Sequence, residues 1–155
     1  MNNIGLNLQK ANELALQLND LLANYQLFYM NVRGFHWNIK GAKFFELHLK
    51  FEELYNDLLL KVDELAERVL TLGQTPTHAF SDYLQLAEIS EVKFGHDGAA
   101  NIESILNSFQ ILLRKQRAIL AISAQAEDEG TNALMSDYIR QQEKLVWMYS
   151  SFLAR

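Results

Sequence analysis

The stretch Phe45-Glu-Leu-His-Leu-Lys-Phe-Glu-Glu-Leu-Tyr-Asn-Asp-Leu-Leu-Leu-Lys-Val-Asp-Glu-Leu-Ala-Glu-Arg-Val-Leu-Thr-Leu-Gly73 decides the fold. Leu47, Phe51, Leu54, Leu58, Val62, Leu65, Val69 and Leu72 recur in steps of three and four. That spacing predicts one long amphipathic helix with a single apolar stripe. Gly73 stops it, and Pro76 follows, the usual signs of a helix C-terminus.

The same period extends outward. Upstream, Ala11, Leu14, Leu18, Leu21, Tyr25, Phe28, Val32 and Phe35 predict a first helix ending between Asn38 and Gly41. Downstream, Phe80 to Ile89 suits a short helix inside a long connection. Asp97 or Gly98 opens a third long helix through Ile102, Ile105, Phe109, Leu112 and Ile119. The polar run Glu127 to Asn132 ends it, with the break expected at Gly130. Leu134, Tyr138, Leu145, Met148 and Phe152 mark the fourth. Short first and third connections make antiparallel neighbours. One long crossover between helices two and three gives the ferritin-like variant of the four-helix bundle. The expectation is an all-α chain forming one domain over residues 1–155.

Composition agrees. Apolar residues are 49% of the 155, enough for a packed core, and there are only one proline and seven glycines. With no cysteine, disulfides, thiolate metal sites and cysteine nucleophiles are excluded. The net charge of −5 argues against nucleic acid as an obligate partner. No run of about 18 apolar residues predicts a membrane span. The first residues lack the pattern of a signal peptide. A cytoplasmic location is the default expectation.

Two pairs on the second helix carry the chemistry. His48 and Glu52 are four apart, as are Asp63 and Glu67, so each pair shares a helix face. His36, near the end of the first helix, lies in phase with Leu22 and Tyr29 at the edge of the buried face. Imidazole and carboxylate without sulfur suit iron, manganese or zinc. His48 and Asp63 are fifteen residues apart, about 22 Å along one helix, so they cannot hold one ion within one chain. Two copies packed antiparallel, with a two-fold axis near residues 57 and 58, would bring one chain's His48 and Glu52 to the other's Asp63 and Glu67. Two identical sites about 22 Å apart would result. A conventional ferritin centre inside one bundle uses Glu-x-x-His motifs, and the sequence contains none.

The residues His36, Trp37, Asn38, Gly41, Leu47, His48, Phe51, Glu52, Tyr55, Asp63, Ala66, Glu67 and Arg68 together resemble the signature of the Dps proteins, bacterial mini-ferritins. Glu143-Lys144 and Trp147-Met148 add weaker support. The resemblance implies a ferroxidase that stores ferric oxide in a hollow shell of twelve subunits, with hydrogen peroxide (or oxygen) as oxidant and protection from oxidative stress as the outcome. It implies a two-iron site at the subunit dyad, with His36, His48 and Glu52 from one subunit and Asp63 and Glu67 from its mate. Trp37 would lie close to the iron and supply an electron when oxidation outruns Fe²⁺. Arg68 would pair with a neighbouring carboxylate. Glu127, Asp128, Glu129 and Asp137 would line a pore that draws in Fe²⁺, and Glu53 and Asp57 would face the cavity.

Plainer readings stand beside these. Asp63 and Glu67 also suit a solvated helix face, Trp37 a packing residue, and the acids from Glu127 to Glu129 a polar turn. His78 and His96 fall in or near the long connection, with no catalytic role expected. Two rival functions are a DNA-binding, nucleoid-protecting protein and a purely structural bundle. DNA binding in this family usually uses a Lys/Arg-rich tail. The first thirteen residues hold only Lys10, so DNA binding is not expected. The complete ligand set argues against the structural bundle.

Overall fold

The computed structural model describes residues 1–155. It contains five helices and no strand: α1 (Leu8–Asn38), α2 (Phe44–Thr71), α3 (Phe80–Leu86), α4 (Gly98–Gln125) and α5 (Glu129–Phe152). Helix α1 packs along α2, α4 along α5 and α1 against α4, while the short α3 lies on α1. This is the expected four-helix bundle with one long crossover. No helix is long and apolar enough to cross a membrane.

The stripes read from the sequence converge on one core. Leu14, Leu18, Leu21, Phe28, Phe51, Leu58, Leu65 and Phe109 are among its fully buried members. Phe28 meets Phe109 edge-on at 5.1 Å, joining α1 to α4. Local chemistry sets the helix ends. Asn7 caps α1 by accepting from the Lys10 amide at 3.0 Å. Gly41 (φ 111°) and Gly73 (φ 91°) supply the left-handed turns that flank α2.

Two asparagines on α1 hold the crossover. The Asn24 carbonyl oxygen accepts from the amides of Glu88 at 2.9 Å and Ile89 at 3.0 Å. Asn31, two turns further on, donates to the Ser90 carbonyl at 2.9 Å and accepts from the Val92 amide at 2.9 Å. Both asparagines are buried, so these bonds satisfy groups that would otherwise be costly to desolvate. They also explain why α3 stops at Leu86 rather than running to Ile89. The amides of Glu88 and Ile89 are spent on Asn24.

The break between α4 and α5 differs from expectation. It falls at Ala126–Asp128, and Gly130 is the second residue of α5. Glu127 takes the left-handed conformation (φ 56°) that glycine or asparagine usually supplies. Asp128 then caps α5, accepting from the Thr131 amide at 3.0 Å. Gly130 is small for a different reason: a Cβ there would stand 2.7 Å from both terminal nitrogens of Arg68.

Candidate metal centre

His36 closes α1 and His48 opens α2, and the turn through Gly41 folds them face to face. Their rings stack with centroids 3.8 Å apart and planes 12° from parallel. His36 Nδ1 lies 2.7 Å from the His48 carbonyl oxygen, and His48 Nδ1 lies 2.8 Å from the His36 carbonyl oxygen. A carbonyl can only accept, so each Nδ1 carries a proton and donates it. With each Nδ1 committed to a carbonyl, Nε2 is the ring nitrogen left to meet a ligand. Neither Nε2 is hydrogen-bonded within the chain. Reciprocal carbonyl bonds of this kind fix tautomer and orientation, as the outer partners of metal-bound histidines do.

The rings are walled in by aromatics. Phe44 stacks on His48 at 4.9 Å, and Tyr55 meets His36 edge-on at 5.3 Å. His36 is buried, while His48 and Glu52 are half-buried. Glu52 stands one turn beyond His48 on α2.

Asp63 and Glu67 lie exposed further along α2. Their carboxyls hydrogen-bond to each other, and that bond, with the charge of Asp63, pushes the Glu67 carboxyl above its ordinary pKa. Two carboxylates facing each other hold a proton more tightly. Because α2 is one continuous helix, Asp63 stays about 22 Å and Glu67 about 28 Å from His48. No three His, Asp or Glu side chains converge within one chain. The chain thus presents two half-sets, an imidazole pair and a carboxylate pair.

The bundle interior offers no alternative. Its central polar cluster is Tyr25, Gln116 and Gln142. Gln142 Nε2 donates to the Tyr25 hydroxyl at 2.6 Å, Gln116 Nε2 donates to the Gln142 carbonyl oxygen at 2.8 Å, and the Tyr25 hydroxyl donates to Gln116. All three are neutral and mutually satisfied. The one buried carboxylate in the chain is Asp128, and it faces Arg68. Neutral amides and a phenol are poor partners for a pair of iron ions.

The four acids expected around a pore divide. Glu127, Glu129 and Asp137 are exposed. Asp128 is 2% exposed, and its carboxylate is taken up by Arg68 at 2.6 Å, the Thr131 amide and the Thr131 hydroxyl. Within the chain Asp128 thus ties α5 to α2, unlike the three exposed acids. Arg68 is the paired residue expected, and Asp128 is its partner. Glu53 is exposed beside Lys50, while Asp57 is bound through both oxygens, 2.9 Å each, to the buried Lys61.

Trp37 is 57% exposed rather than packed into the core. The guanidinium of Arg33 covers one face at 4.9 Å and also stacks on Tyr55 and Tyr29. Sequence reasoning passed over Arg33. Its signal was legible in the four-residue steps Tyr29, Arg33, Trp37, which put a cation between two aromatics on one helix face. His78 is exposed, and neither it nor His96 joins the imidazole pair.

A family model, Ferritin-like domain, matches residues 15–155. An uncharacterized protein of Haemophilus influenzae is 53% identical over 148 residues, 96% of this chain and 92% of its own. The DNA protection during starvation protein of Porphyromonas gingivalis is 43% identical over 151 residues, 97% of this chain and 95% of its own. Among solved structures, a DPS protein of Vibrio cholerae, described as one of the ferritin-like diiron-carboxylate proteins, aligns with a TM-score of 0.98 at 57% identity, covering 99% of this chain and 96% of that one. With the bundle, its single crossover and this ligand set already in view, these matches make the chain a member of the Dps proteins of the ferritin-like family.

Proposed function

We propose that the protein is a ferroxidase that oxidises Fe²⁺ at two-iron sites shared across a two-fold dimer and stores the product as ferric oxide inside a shell of twelve copies. The observation that carries this reading is the stacked His36–His48 pair, with both Nδ1 atoms tied down and both Nε2 atoms free. Two imidazoles and Glu52 are too few ligands for a pair of iron ions, and the carboxylate pair Asp63 and Glu67 stands at the far end of α2. An antiparallel pairing of α2 about residues 57 and 58 supplies them from the second copy, as an isologous interface must do twice.

His36, His48 and Glu52 then bind the ferrous substrate from one side, and Asp63 and Glu67 of the second copy bind from the other. Carboxylates favour Fe³⁺ over Fe²⁺ because the higher charge gains more from anionic oxygen ligands. Hydrogen peroxide is the oxidant. Each of two ferrous ions gives up one electron, the O–O bond breaks, and hydrolysis of the ferric product releases protons. Trp37 supplies an electron where a second Fe²⁺ is lacking. Exposed Glu127, Glu129 and Asp137 line the route for Fe²⁺, their summed field drawing cations in. The relative from Porphyromonas gingivalis is named for DNA protection. Removing Fe²⁺ and peroxide together gives such protection without contact, because the two would otherwise form hydroxyl radical.

The test is the pair of substitutions His36→Ala/His48→Ala. The variant assembles as wild type does but oxidises Fe²⁺ with peroxide no faster than buffer. Full retained activity would overturn the site.

A further inference from the structure

Arg33 is a cation one ring removed from the imidazole pair, and the mechanism above leaves it unused. Its guanidinium lies 4.9 Å from the Trp37 ring centre, 5.1 Å from Tyr55 and 5.7 Å from Tyr29. Nη1 donates to the Tyr29 hydroxyl at 2.8 Å. Tyr29 and Tyr55 meet edge-on at 6.1 Å, and Tyr55 in turn touches His36. Arg33 takes part in none of the chain's ion pairs. Its Nε is buried with no acceptor. A half-buried cation is thus held almost wholly by ring faces, with no carboxylate to neutralise it.

We propose that Arg33 is a positioning residue that makes Trp37 and Tyr55 harder to oxidise, so that Trp37 gives up an electron only when Fe²⁺ has run out. The proposal rests on the ferroxidase reading for its purpose, though not for its electrostatics. A neutral ring is attracted to a cation over its face, whereas a ring that has lost an electron is positive and is repelled by it. At about 5 Å in a half-buried site, the repulsion is far stronger than in water. Without that penalty, rings this close to a peroxide-consuming centre would compete with Fe²⁺ for the oxidant. With it, Fe²⁺ is consumed first. When only one Fe²⁺ is bound, peroxide takes one electron from it and the second from the indole of Trp37. The indole N–H proton passes to water and the O–O bond breaks, leaving a neutral tryptophan radical.

The chain carries its own comparator. Trp147 on α5 has no cation over its ring. The experiment compares the two tryptophans in assembled wild type, Arg33→Gln and Arg33→Lys. A photo-oxidised ruthenium(III) trisbipyridine complex, without iron, takes one electron from each indole, and mass spectrometry of the tryptic peptides reads the ratio of damage. In wild type Trp147 is oxidised in preference to Trp37. Arg33→Gln raises Trp37 oxidation relative to Trp147 by about tenfold or more, while Arg33→Lys, which keeps the charge, stays near wild type. Equal oxidation of the two tryptophans in wild type, an unchanged ratio in Arg33→Gln, or a lysine variant as vulnerable as glutamine would each overturn the proposal. A second arm adds peroxide and limiting Fe²⁺ and counts tryptophan radicals by freeze-quench electron paramagnetic resonance. The glutamine variant gives the larger radical yield, and an equal yield there would also overturn it. If the ruthenium arm succeeds while wild type fails to oxidise Fe²⁺, the ferroxidase reading falls and the shielding by Arg33 stands.

Discussion

Replacing Asp128 by alanine tests whether this acid is a structural tie. The change removes the cap of α5, a loss of about 1 kcal/mol. It also strips the counter-ion from Arg68, whose side chain is only 19% exposed. Removing one partner of a buried pair costs about 3–5 kcal/mol. Arg68 keeps some contact with water and its 2.9 Å bond from Nε to the Thr131 hydroxyl, which favours the lower end of that range. The sum is about 4 kcal/mol, and for a chain of this size it lowers the melting midpoint by about 10 °C. Thermal unfolding followed by circular dichroism reads it directly. Asp128→Asn keeps a capping oxygen but loses the charge, so it falls between alanine and wild type. A pore residue would behave otherwise, slowing iron uptake without moving the midpoint. A drop of less than about 3 °C for the alanine variant would refute the structural reasoning.

Three further outcomes follow from particular contacts. Gly130→Ala should gain about 1 kcal/mol from helix propensity, but its Cβ collides with a guanidinium pinned by Asp128 and Thr131. Overpacking of about 1–3 kcal/mol wins, and denaturant unfolding should show a net loss; a more stable variant contradicts the contact. The hydrogen bond and charge of Asp63 raise the Glu67 pKa, so its contribution to stability is present below the ordinary carboxylate pKa and is lost as pH rises through the raised one. A divalent cation replaces that proton, so Zn²⁺ titration at mildly acidic pH should release more protons from wild type than from Glu67→Gln. Equal release by calorimetry in two buffers would show that Glu67 is not a ligand. With a net charge of −5, the protein should not retard plasmid DNA in a gel at physiological salt, and retardation there would restore direct DNA binding.

The bundle was legible because its stripes keep a strict helical period and its breakers are few. Gly41 and Gly73 behave as glycines at helix ends do. Gly130 misled because the left-handed turn went to Glu127, while the glycine was kept small to admit Arg68 from another helix. No local pattern reports such a long-range contact. The same holds for Asp128. In the sequence it is one of three clustered acids, and only the fold shows that it turns inward while Glu127 and Glu129 face water. The separation of the imidazole pair from the carboxylate pair along α2 was readable from helix spacing alone. The reciprocal bonds that fix the tautomers of His36 and His48 were not, since they run between a side chain and a backbone carbonyl twelve residues away.

The central claim is that neither chain alone holds a complete site. Two inactive variants, His36→Ala/His48→Ala and Asp63→Asn/Glu67→Gln, can be unfolded, mixed in equal amounts and reassembled. In a mixed dimer one site lacks both half-sets and the other is intact. Random pairing therefore restores about a quarter of the wild-type rate of Fe²⁺ oxidation per subunit. If each chain carried its own site, mixing would restore nothing, and a mixture as inactive as its two components would contradict the account.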